Sequence, residues 1–549
     1  MTRDFVLALA GTSESVTVTG IGDVEQGYRV DIVGSLGSSG QGSEIMRPET
    51  RGLQGSNMQN TRMDGMGIVI TGANSLETVQ QIEVLNGLGA AMYGPANPSG
   101  MFNFGPKRPT EQPRRRLALS YDDRAVGTIH ADIGGRLGRG RIFGYRANLL
   151  AGDGETFAKD NRLARRLVSL AADARPFKQT VIEGFYSYYN LIQRGFPGWF
   201  TYGRANNRSP FILLPSDAPD PSRQGYGQTE AGLDLTTRIG QLRVKHDINS
   251  TWRLSVGALD QLVTRDISSQ VNALTDDAGN YSSSLAVGFA PQFRVFSNLG
   301  YLNGRFVTGG IRHDLAVGST GYTFKSYSDF MNPSAASVLL GTASITNPLV
   351  FVLPTAGLPR HDNIFMSSAI HQQGFNVTDT TTFNQQWSLR IAASQDWIWA
   401  DTYNNRGVKT GDYRANGVSP SGSLLYKPVA NMTVYGSYGS SLRQGDVAWG
   451  LTIPKNSLNP ENAIAFVNLV LGAGGTAAFN AHGPVPITPA LVTPATTRVF
   501  RSLCNRLSPC GRYRPNGYPK LSPLAQGHPT LSRLSSCSHP LGHGARQRW

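Results

Sequence analysis

Short runs of alternating apolar and polar residues recur between about residues 114 and 448, joined in pairs by tight polar turns. In QLRVKHDINSTWRLSVGAL the runs at 242–246 and 252–258 flank a polar turn, and residues 427–431 separate a second such pair. Further pairs centre near Arg139, Pro176, Gly310 and Thr381, which gives six hairpins. A period of two residues indicates strands with two different faces, so the pattern predicts an antiparallel all-β body of about 13 strands.

The connections between the predicted strands are unequal in length. The turns within hairpins are short, whereas 195–223 and 326–373 are long and show no regular pattern. Aromatic residues lie near several strand ends, where a membrane-interface girdle would place them: Tyr186, Tyr188, Trp387, Trp397 and Trp399. Short turns at one end and long loops at the other are typical of outer-membrane β-barrels, which favours a barrel over a soluble sheet.

Composition and charge refine this prediction. Charged residues make up 16% of the chain and glycine numbers 63, a mix that suits strands and turns better than helices. No stretch approaches the ~18 apolar residues of a transmembrane helix. Of the net charge of +14, residues 462–549 carry +9 because they contain no Asp or Glu, which leaves +5 for residues 1–461. The charge therefore gives no reason to expect a nucleic-acid partner.

Residues before about 110 show a different pattern. Short apolar runs at 68–70 and 82–85 predict strands, and the segment 76–81 predicts a short helix, with Asn74 or Ser75 as its cap and Glu77 in its first turn. The glycine-rich stretch 85–104 lacks the third glycine of a dinucleotide fingerprint and the G-K-[ST] of a phosphate loop. The sequence therefore predicts a small α/β unit directly before the β-rich body, without a nucleotide site.

One long stretch carries several motifs in a fixed order. SLETVQQIEVLNGLGAAMYGPANPSGMFNFGPKRP contains I-E-V-x-x-G, A-x-x-Y-G, a glycine-rich turn, apolar-x-N-apolar and K-R-P. This series resembles the end of the plug domain in TonB-dependent siderophore receptors. ETRGLQGSNMQNTRMDGM resembles an earlier plug strand, and GFPGWFTYG and SPSGSLLYKPVANMTVYGSYGSSLRQGDVA resemble loops and late hairpins of the same barrels. The resemblance covers about residues 14–448.

The resemblance implies a transmembrane antiparallel β-barrel of about 22 strands with an N-terminal α/β plug in its lumen. It assigns structural roles in the plug to Arg51, Asp64, Gly65, Gly87, Tyr93, Gly94 and Gly100. We expect the glycines to allow tight turns against the barrel wall, with Tyr93 packed on them, and we favour this packing role over ligand binding.

The function implied by the resemblance is import of a ferric siderophore across the cell outer membrane, powered through the partner TonB, in contact with outer-membrane lipid. ESVTVTG resembles the TonB box, the segment that pairs with TonB, and supplies these candidates: Glu14, Val16, Thr17, Val18 and Thr19. A plain edge strand of the plug is the alternative. Iron would arrive held by the siderophore, so the sequence predicts no cofactor, and it offers no catalytic constellation of an enzyme.

The resemblance places ligand contacts at two plug apices and in one aromatic loop: Gly55, Ser56, Asn57, Met58, Thr71, Gly72, Ala73, Asn74, Trp199, Phe200 and Tyr202. For each residue an ordinary solvated loop position is the alternative. Some zinc-like spacing occurs near the C-terminus, at Cys504, Cys510, Cys537, His539 and His543. Because that region contains no acidic residue, we predict no metal site there.

Three features depart from the family pattern. The segment 34–44 joins parts of the plug that the family separates by a longer stretch, Asn86 replaces an arginine that commonly pairs with barrel glutamates, and the hairpin pattern ends at 448. The predicted organisation is a leader remnant, misplaced start or ordinary first strand at 1–13, a plug at 14–110, a partial barrel at 111–448 and an aberrant, irregular tail at 449–549. We therefore expect a sheet that fails to close, and the alternative function is a passive or non-functional barrel fragment.

Overall fold

Two sheets dominate the computed structural model, which describes the following residues: 15–19, 49–50, 53–54, 56, 58–85, 93–96, 101–122, 124–202, 212, 219–287, 291–330, 336–353, 363–429 and 432–442. The first is a five-stranded mixed sheet near the N-terminus, which we call the plug sheet. The second is a large, mainly antiparallel sheet, which we call the wall. None of the helices within these residues is long and apolar enough to cross a membrane.

The N-terminal strands are short. They are β1 (Ser15–Thr19), β2 (Glu49–Thr50), β3 (Leu53–Gln54), β4 (Thr61–Met63), β5 (Met66–Gly67), β6 (Val79–Leu85) and β7 (Met101–Pro106). The plug sheet has the order β1-β6-β7-β4-β5, while β2 and β3 pair only with each other. Strand β4 runs parallel to β7, and the other neighbours in the plug sheet are antiparallel.

The candidate TonB box forms the edge strand of the plug sheet. Ser15 lies opposite Leu85 and Thr19 opposite Gln81 in an antiparallel ladder with β6. This arrangement is the one that the edge-strand alternative predicts. An edge strand can also leave its ladder to pair with another protein. The role of residues 14–19 as a TonB box therefore stays a prediction, and Glu14 lies outside the described residues.

Two local predictions in the plug were wrong. The predicted helix at 76–81 is a 3₁₀ helix of three residues, Leu76–Thr78, after which β6 begins at Val79. Pairing with β7 overrides the helical pattern, because a strand satisfies its backbone groups along its whole length. The predicted strand at 68–70 has no strand neighbour, and the preceding Met66–Gly67 forms β5 instead.

The wall contains sixteen strands, thirteen of which follow one another in the order β23-β22-β21-β20-β18-β17-β15-β14-β12-β11-β10-β9-β8. The strands from β8 onward are β8 (Arg114–Asp122), β9 (Val126–Leu137), β10 (Phe143–Gly154), β11 (Arg162–Phe177), β12 (Thr180–Arg194), β13 (Trp199–Thr201), β14 (Gly232–Asp247), β15 (Trp252–Leu274), β16 (Asn280–Val287), β17 (Gln292–Thr308), β18 (Ile311–Asp329), β19 (Ala336–Ser344), β20 (Ile364–Thr382), β21 (Trp387–Tyr403), β22 (Lys409–Val429) and β23 (Met432–Gly439). Among the described residues β8 and β23 do not pair with each other, so the wall is an open barrel, as expected.

All six predicted hairpins form, as β9–β10, β11–β12, β14–β15, β17–β18, β20–β21 and β22–β23. The two long segments were wrongly predicted to be irregular throughout. The first contains β13, which pairs with β15, and the second contains the end of β18, all of β19 and the start of β20. These pairings join residues far apart in the chain, which a local pattern does not reveal.

The two faces of the wall differ in exposure, and inward and outward side chains alternate along each strand. On β11, Val168 and Leu170 are exposed on the outer face, whereas Leu167, Ser169 and Ala171 are buried on the inner face. Many large apolar side chains are exposed along the outer face in the same way. Such an outward apolar band is the surface that a membrane barrel presents to lipid.

Candidate functional site at the plug–wall interface

The plug sheet packs against the inner face of the wall. Met66 and Ile68 share one buried cluster with Phe185, Ile239 and Leu259, which come from three wall strands. A cavity of about 20 Å³ remains between plug and wall, enough for one water at most. In this region the plug and the wall therefore lie in close contact.

One predicted plug apex is wedged into the wall. A Cβ added to Gly72 would lie 2.7 Å from Val263 Cγ1 and 2.8 Å from Thr237 Oγ1, so only glycine fits there. The neighbouring Thr71 and Ala73 are buried, and Asn74 is half-buried with its side chain donating to the Gly72 carbonyl at 3.1 Å. Ala73 packs with wall residues in a buried cluster, and the role of residues 71–74 in ligand binding stays a prediction.

The other predicted ligand residues do not form one surface. Met58 is buried in a wall cluster and Ser56 is half-buried, while Gly55 and Asn57 lie outside the described residues. Phe200 packs edge-on against Tyr226 and Tyr281. Trp199 is half-buried in β13, and Tyr202 is 57% exposed. Of this aromatic group, Tyr202 is the side chain most available to a ligand.

An ion-pair group that we call the Asp64 cluster joins the β4–β5 turn to the wall. Asp64 has a φ of +50° and is followed by Gly65 with a φ of +83°. The Asp64 carboxylate pairs with Arg108, which follows β7, and its Oδ1 lies 3.3 Å from Arg243 Nη1 of β14. Gln241 Nε2 donates to Asp64 Oδ2 at 2.6 Å. The tight turn thus aims one carboxylate at the plug's own arginine and at the wall.

Glu183 of β12 completes the Asp64 cluster. Its Oε1 lies 2.9 Å from Lys245 Nζ, and its Oε2 lies 3.8 Å from both Arg108 Nη2 and Arg243 Nε. The cluster therefore holds two carboxylates and three cations, drawn from the plug and from β12 and β14. Breaking such a half-buried network by removing one partner is costly, because the remaining charges lose their counter-ions.

A second pair connects the 3₁₀ helix to the wall. Glu77 Oε1 lies 2.5 Å from Arg165 Nη2 of β11, and Ser75 Oγ donates to Glu77 Oε2 at 2.5 Å. Arg165 Nε donates to the Tyr189 hydroxyl at 2.9 Å. Nearby, Lys107 Nζ lies 3.7 Å from Asp132 Oδ2. Charged groups therefore fasten the plug to β9, β11, β12 and β14.

Uncharged hydrogen bonds hold the other side of the plug. The Gln261 side chain accepts from the Val69 amide at 2.8 Å and donates to the Val69 carbonyl at 3.0 Å, replacing the strand partner that this segment lacks. Ser297 Oγ donates to the Gly67 carbonyl at 2.6 Å, and Gln372 Nε2 donates to the Pro95 carbonyl at 2.6 Å. The wall therefore satisfies the free backbone edge of the plug.

The A-x-x-Y-G motif lies close to this side of the wall. Gly94 has a φ of +77°, and a Cβ on Gly374 of β20 would come within 3.0 Å of the Gly94 Cα. Tyr93 approaches Gly65, since a Cβ there would lie 3.9 Å from the Tyr93 ring. The structural role of Tyr93 and Gly94 in the plug stays a prediction. Three further residues with predicted structural roles lie outside the described part: Arg51, Gly87 and Gly100.

The interface also uses residues that the sequence did not single out. The sequence pattern marks Glu77 only as a first-turn residue and Arg108 only as part of K-R-P. It does not mark Arg165, Glu183 or Arg243. A usable signal existed for the wall residues, because Glu183 and Arg243 occupy inward positions of alternating strands. Within the described residues no group of three or more His, Cys, Asp or Glu side chains is arranged to hold a metal ion.

Acidic pH is expected to loosen the plug. Burial alone would raise the pKa of Asp64, but Arg108 and Arg243 hold it below its ordinary value of 3.8. Burial opposes ionisation of Glu77 in the same way, and Arg165 and Ser75 keep that pKa below 4.5. Because both pKa values are lower in the folded state, these groups stabilise the seated plug above about pH 5 and stop doing so as the pH falls below about 4.

The buried Ala73 offers a reporter for this pH dependence. An Ala73→Cys chain whose native Cys504, Cys510 and Cys537 are changed to Ser would be labelled with dithiodipyridine, at a rate normalised to the urea-unfolded chain at each pH. We expect normalised labelling to accelerate as the pH falls from 5 to 3. A Glu77→Gln chain should show a shallower acceleration, and an identical profile in both chains would contradict the assignment.

The fold and the interface together define a class of protein, an open β-barrel whose inner face is occupied by an N-terminal plug. The TonB dependent receptor-like, beta-barrel family matches residues 174–472, so the chain belongs to this family of transport receptors. The match continues past residue 448, where the hairpin pattern ends.

Two relatives and one solved structure illustrate the similarity. The chain is 25% identical over 388 residues to the ferrichrome receptor FcuA of Yersinia enterocolitica, which spans 68% of this chain and 48% of FcuA. It is 24% identical over 253 residues to the ferrichrome outer membrane transporter/phage receptor of Escherichia coli K12, spanning 44% of this chain and 34% of that protein. The chain thus spans about half of FcuA and about a third of the other relative. The closed form of the ferric-catecholate import receptor Fiu of E. coli K12 shares the fold, with a TM-score of 0.65 at 16% identity over 78% of this chain and 65% of Fiu.

Proposed function

We propose that this protein is a receptor of the outer membrane that imports a ferric siderophore when TonB displaces its plug. The observation that carries this proposal is the seated plug, held to the wall by the Asp64 cluster, by the Glu77–Arg165 pair and by the Gln261 contacts. Such a plug obstructs passive flow along this face of the wall, and moving it requires work. An energy-transducing partner is the kind of protein that supplies that work.

The substrate class follows from the relatives. Two are ferrichrome receptors, which makes ferrichrome the first ferric siderophore to test. Iron enters as part of the siderophore complex, whose own oxygen atoms hold the metal, so the receptor needs no cofactor. Tyr202 and the plug apices at 55–58 and 71–74 are the proposed ligand contacts, and the outward apolar band is the proposed contact with outer-membrane lipid.

Uptake of radiolabelled ferrichrome iron tests this function directly. We expect a strain that lacks its own ferrichrome receptors to gain uptake from this chain only when TonB is present. Deleting residues 14–19 should abolish that uptake and leave ferrichrome binding to whole cells intact, because the segment is not one of the proposed ligand contacts. A matched Thr17→Ser chain, which keeps the strand pattern, should retain uptake. Equal loss of binding and uptake on deletion would contradict the proposal.

The open wall favours one other candidate function. Within the described residues the outermost strands β8 and β23 pair on one side only, and lipid cannot satisfy the free backbone groups. A passive or non-functional barrel fragment is therefore the second candidate. It predicts either no uptake or uptake that does not depend on TonB, and ion conductance in a planar bilayer would separate a passive pore from an inactive fragment.

A further inference from the structure

Arg62 of β4 is a buried cation that has no ion-pair partner among the described residues. Its exposed fraction is 0%, and its Nη2 donates to the Tyr93 carbonyl at 2.9 Å. Its Nε and Nη1 atoms have no hydrogen-bond partner among the described residues. The guanidinium lies 5.8 Å from the centre of the Tyr322 ring. Buried arginines are normally paired, because an unpaired buried charge loses its hydration without compensation.

The surroundings of Arg62 offer aromatic rings in place of acids. The groups that act on its charge are the tyrosines at 93, 301 and 322, and burial lowers the pKa of Arg62. The buried arginines that pair with carboxylates differ. Arg146, for example, donates to both oxygens of Asp132 at 2.8 and 2.9 Å. Arg62 is therefore unlike the arginines that fasten the plug.

The guanidinium of Arg62 is closely packed on the side that faces Gly67. A Cβ added to Gly67 would already lie 2.8 Å from Arg62 Nη1 and 3.0 Å from Tyr322 Cδ1. The Gly67 carbonyl that faces the wall is taken by Ser297. The guanidinium is therefore closely packed on this side, and Arg62 has no carboxylate partner among the described residues while the plug is seated.

We propose that Arg62 lowers the free energy needed to unseat the plug, because its charge is penalised in the seated state and becomes hydrated when the plug leaves the wall. The Asp64 cluster, the Glu77–Arg165 pair and the amide contacts of Gln261 and Gln372 all favour the seated state. Arg62 acts against them from within the same interface. A consequence of Arg62 for import depends on the proposed function. Its effect on the attachment of the plug does not depend on that function.

Amide hydrogen exchange measures how strongly the plug is held against the wall. The Val69 amide donates to Gln261 of the wall, so its exchange in the full chain reports separation of plug and wall. The neutral Arg62→Gln and Arg62→Met chains should exchange this amide at least about tenfold more slowly than the parent, since each removes an uncompensated charge. Arg62→Lys keeps a charge and should exchange as fast as the parent.

A paired arginine provides the matched control. Arg146→Met removes a buried guanidinium that has a carboxylate partner, and it should leave exchange at Val69 unchanged or make it faster. Faster or unchanged exchange in the neutral Arg62 chains, or failure of both to fold, would overturn the proposal. Equal slowing in Arg62→Lys would also overturn it, because charge would then not be the cause.

Measurements of ferrichrome uptake distinguish failure of this inference from failure of the proposed function. If the chain imports ferrichrome, the neutral Arg62 chains should import more slowly than the parent while binding ferrichrome equally well. If the parent shows no uptake at all, the proposed function fails. The exchange rate at Val69 then still decides whether Arg62 weakens the attachment of the plug to the wall.

Discussion

Changing Asp64 to Asn is expected to destabilise the seated plug by about 3 kcal/mol, close to the penalty for removing one partner of a buried ion pair. The substitution removes the nearer carboxylate from Arg108 and Arg243 and leaves them only Glu183, whose Oε2 lies 3.8 Å from each. Asparagine keeps the size of the side chain and tolerates the positive φ of this turn, so the effect isolates the charge. In hydrogen exchange at the Val69 amide, the expected change is a hundredfold or greater acceleration, by the relation of about 1.4 kcal/mol per tenfold.

An exposed aspartate provides the control for this experiment. Asp153 pairs with Arg162 at 2.6 Å, but both side chains are about half exposed. Asp153→Asn should therefore change stability by less than about 1 kcal/mol, because solvent screens such pairs. If Asp64→Asn behaved like Asp153→Asn, the Asp64 cluster would not be a main attachment of the plug.

Changing Gly72 to Val is expected to prevent the plug from seating. The added Cβ would overlap Val263 and Thr237, whose branched side chains have little freedom to move within a strand. Overpacking in a tight interface costs about 1–3 kcal/mol, and the two further methyl groups of valine enlarge the clash. We expect protease cleavage in the plug and fast exchange at Val69, with the wall strands still protected.

Gly240 gives the matched control for the glycine substitution. It lies in β14 close to Thr237, and no atom lies within 4 Å of a Cβ built there. Gly240→Val should keep the plug protected, since valine suits a strand. Protection of the plug in both chains would show that the close approach at Gly72 is not required for seating.

Strand positions in the wall could be predicted because their signal is local. Alternation with a period of two marks each residue as inward or outward, and a short polar turn fixes which runs pair. The hairpin β14–β15 is found at 242–258 for this reason. Pairings at long range, such as β16 with β19, depend on how the loops fold over one another, and no local pattern encodes them.

In the candidate site, too, the sequence predicts the local turns but not the long-range contacts. The ordered motifs identify the family and mark Asp64, Gly65, Tyr93 and Gly94, since turn chemistry at these positions is a property of the sequence. Partners of Asp64 lie on β14 and the partner of Gly94 lies on β20, in each case more than a hundred residues away along the chain. The local pattern predicts Glu77 only as a helix residue, because it carries no signal for the pairing with Arg165.

By itself, then, the sequence determined the strand pattern, the family and the tight turns of the plug, because each rests on residues adjacent in the chain. Only the tertiary structure decided which charges meet across the interface, which backbone groups the wall satisfies and which buried cation has no acidic partner among the described residues. The physical reason is that ion pairs, close contacts and desolvation depend on distances between segments, and those distances exist only after the plug has packed against the wall.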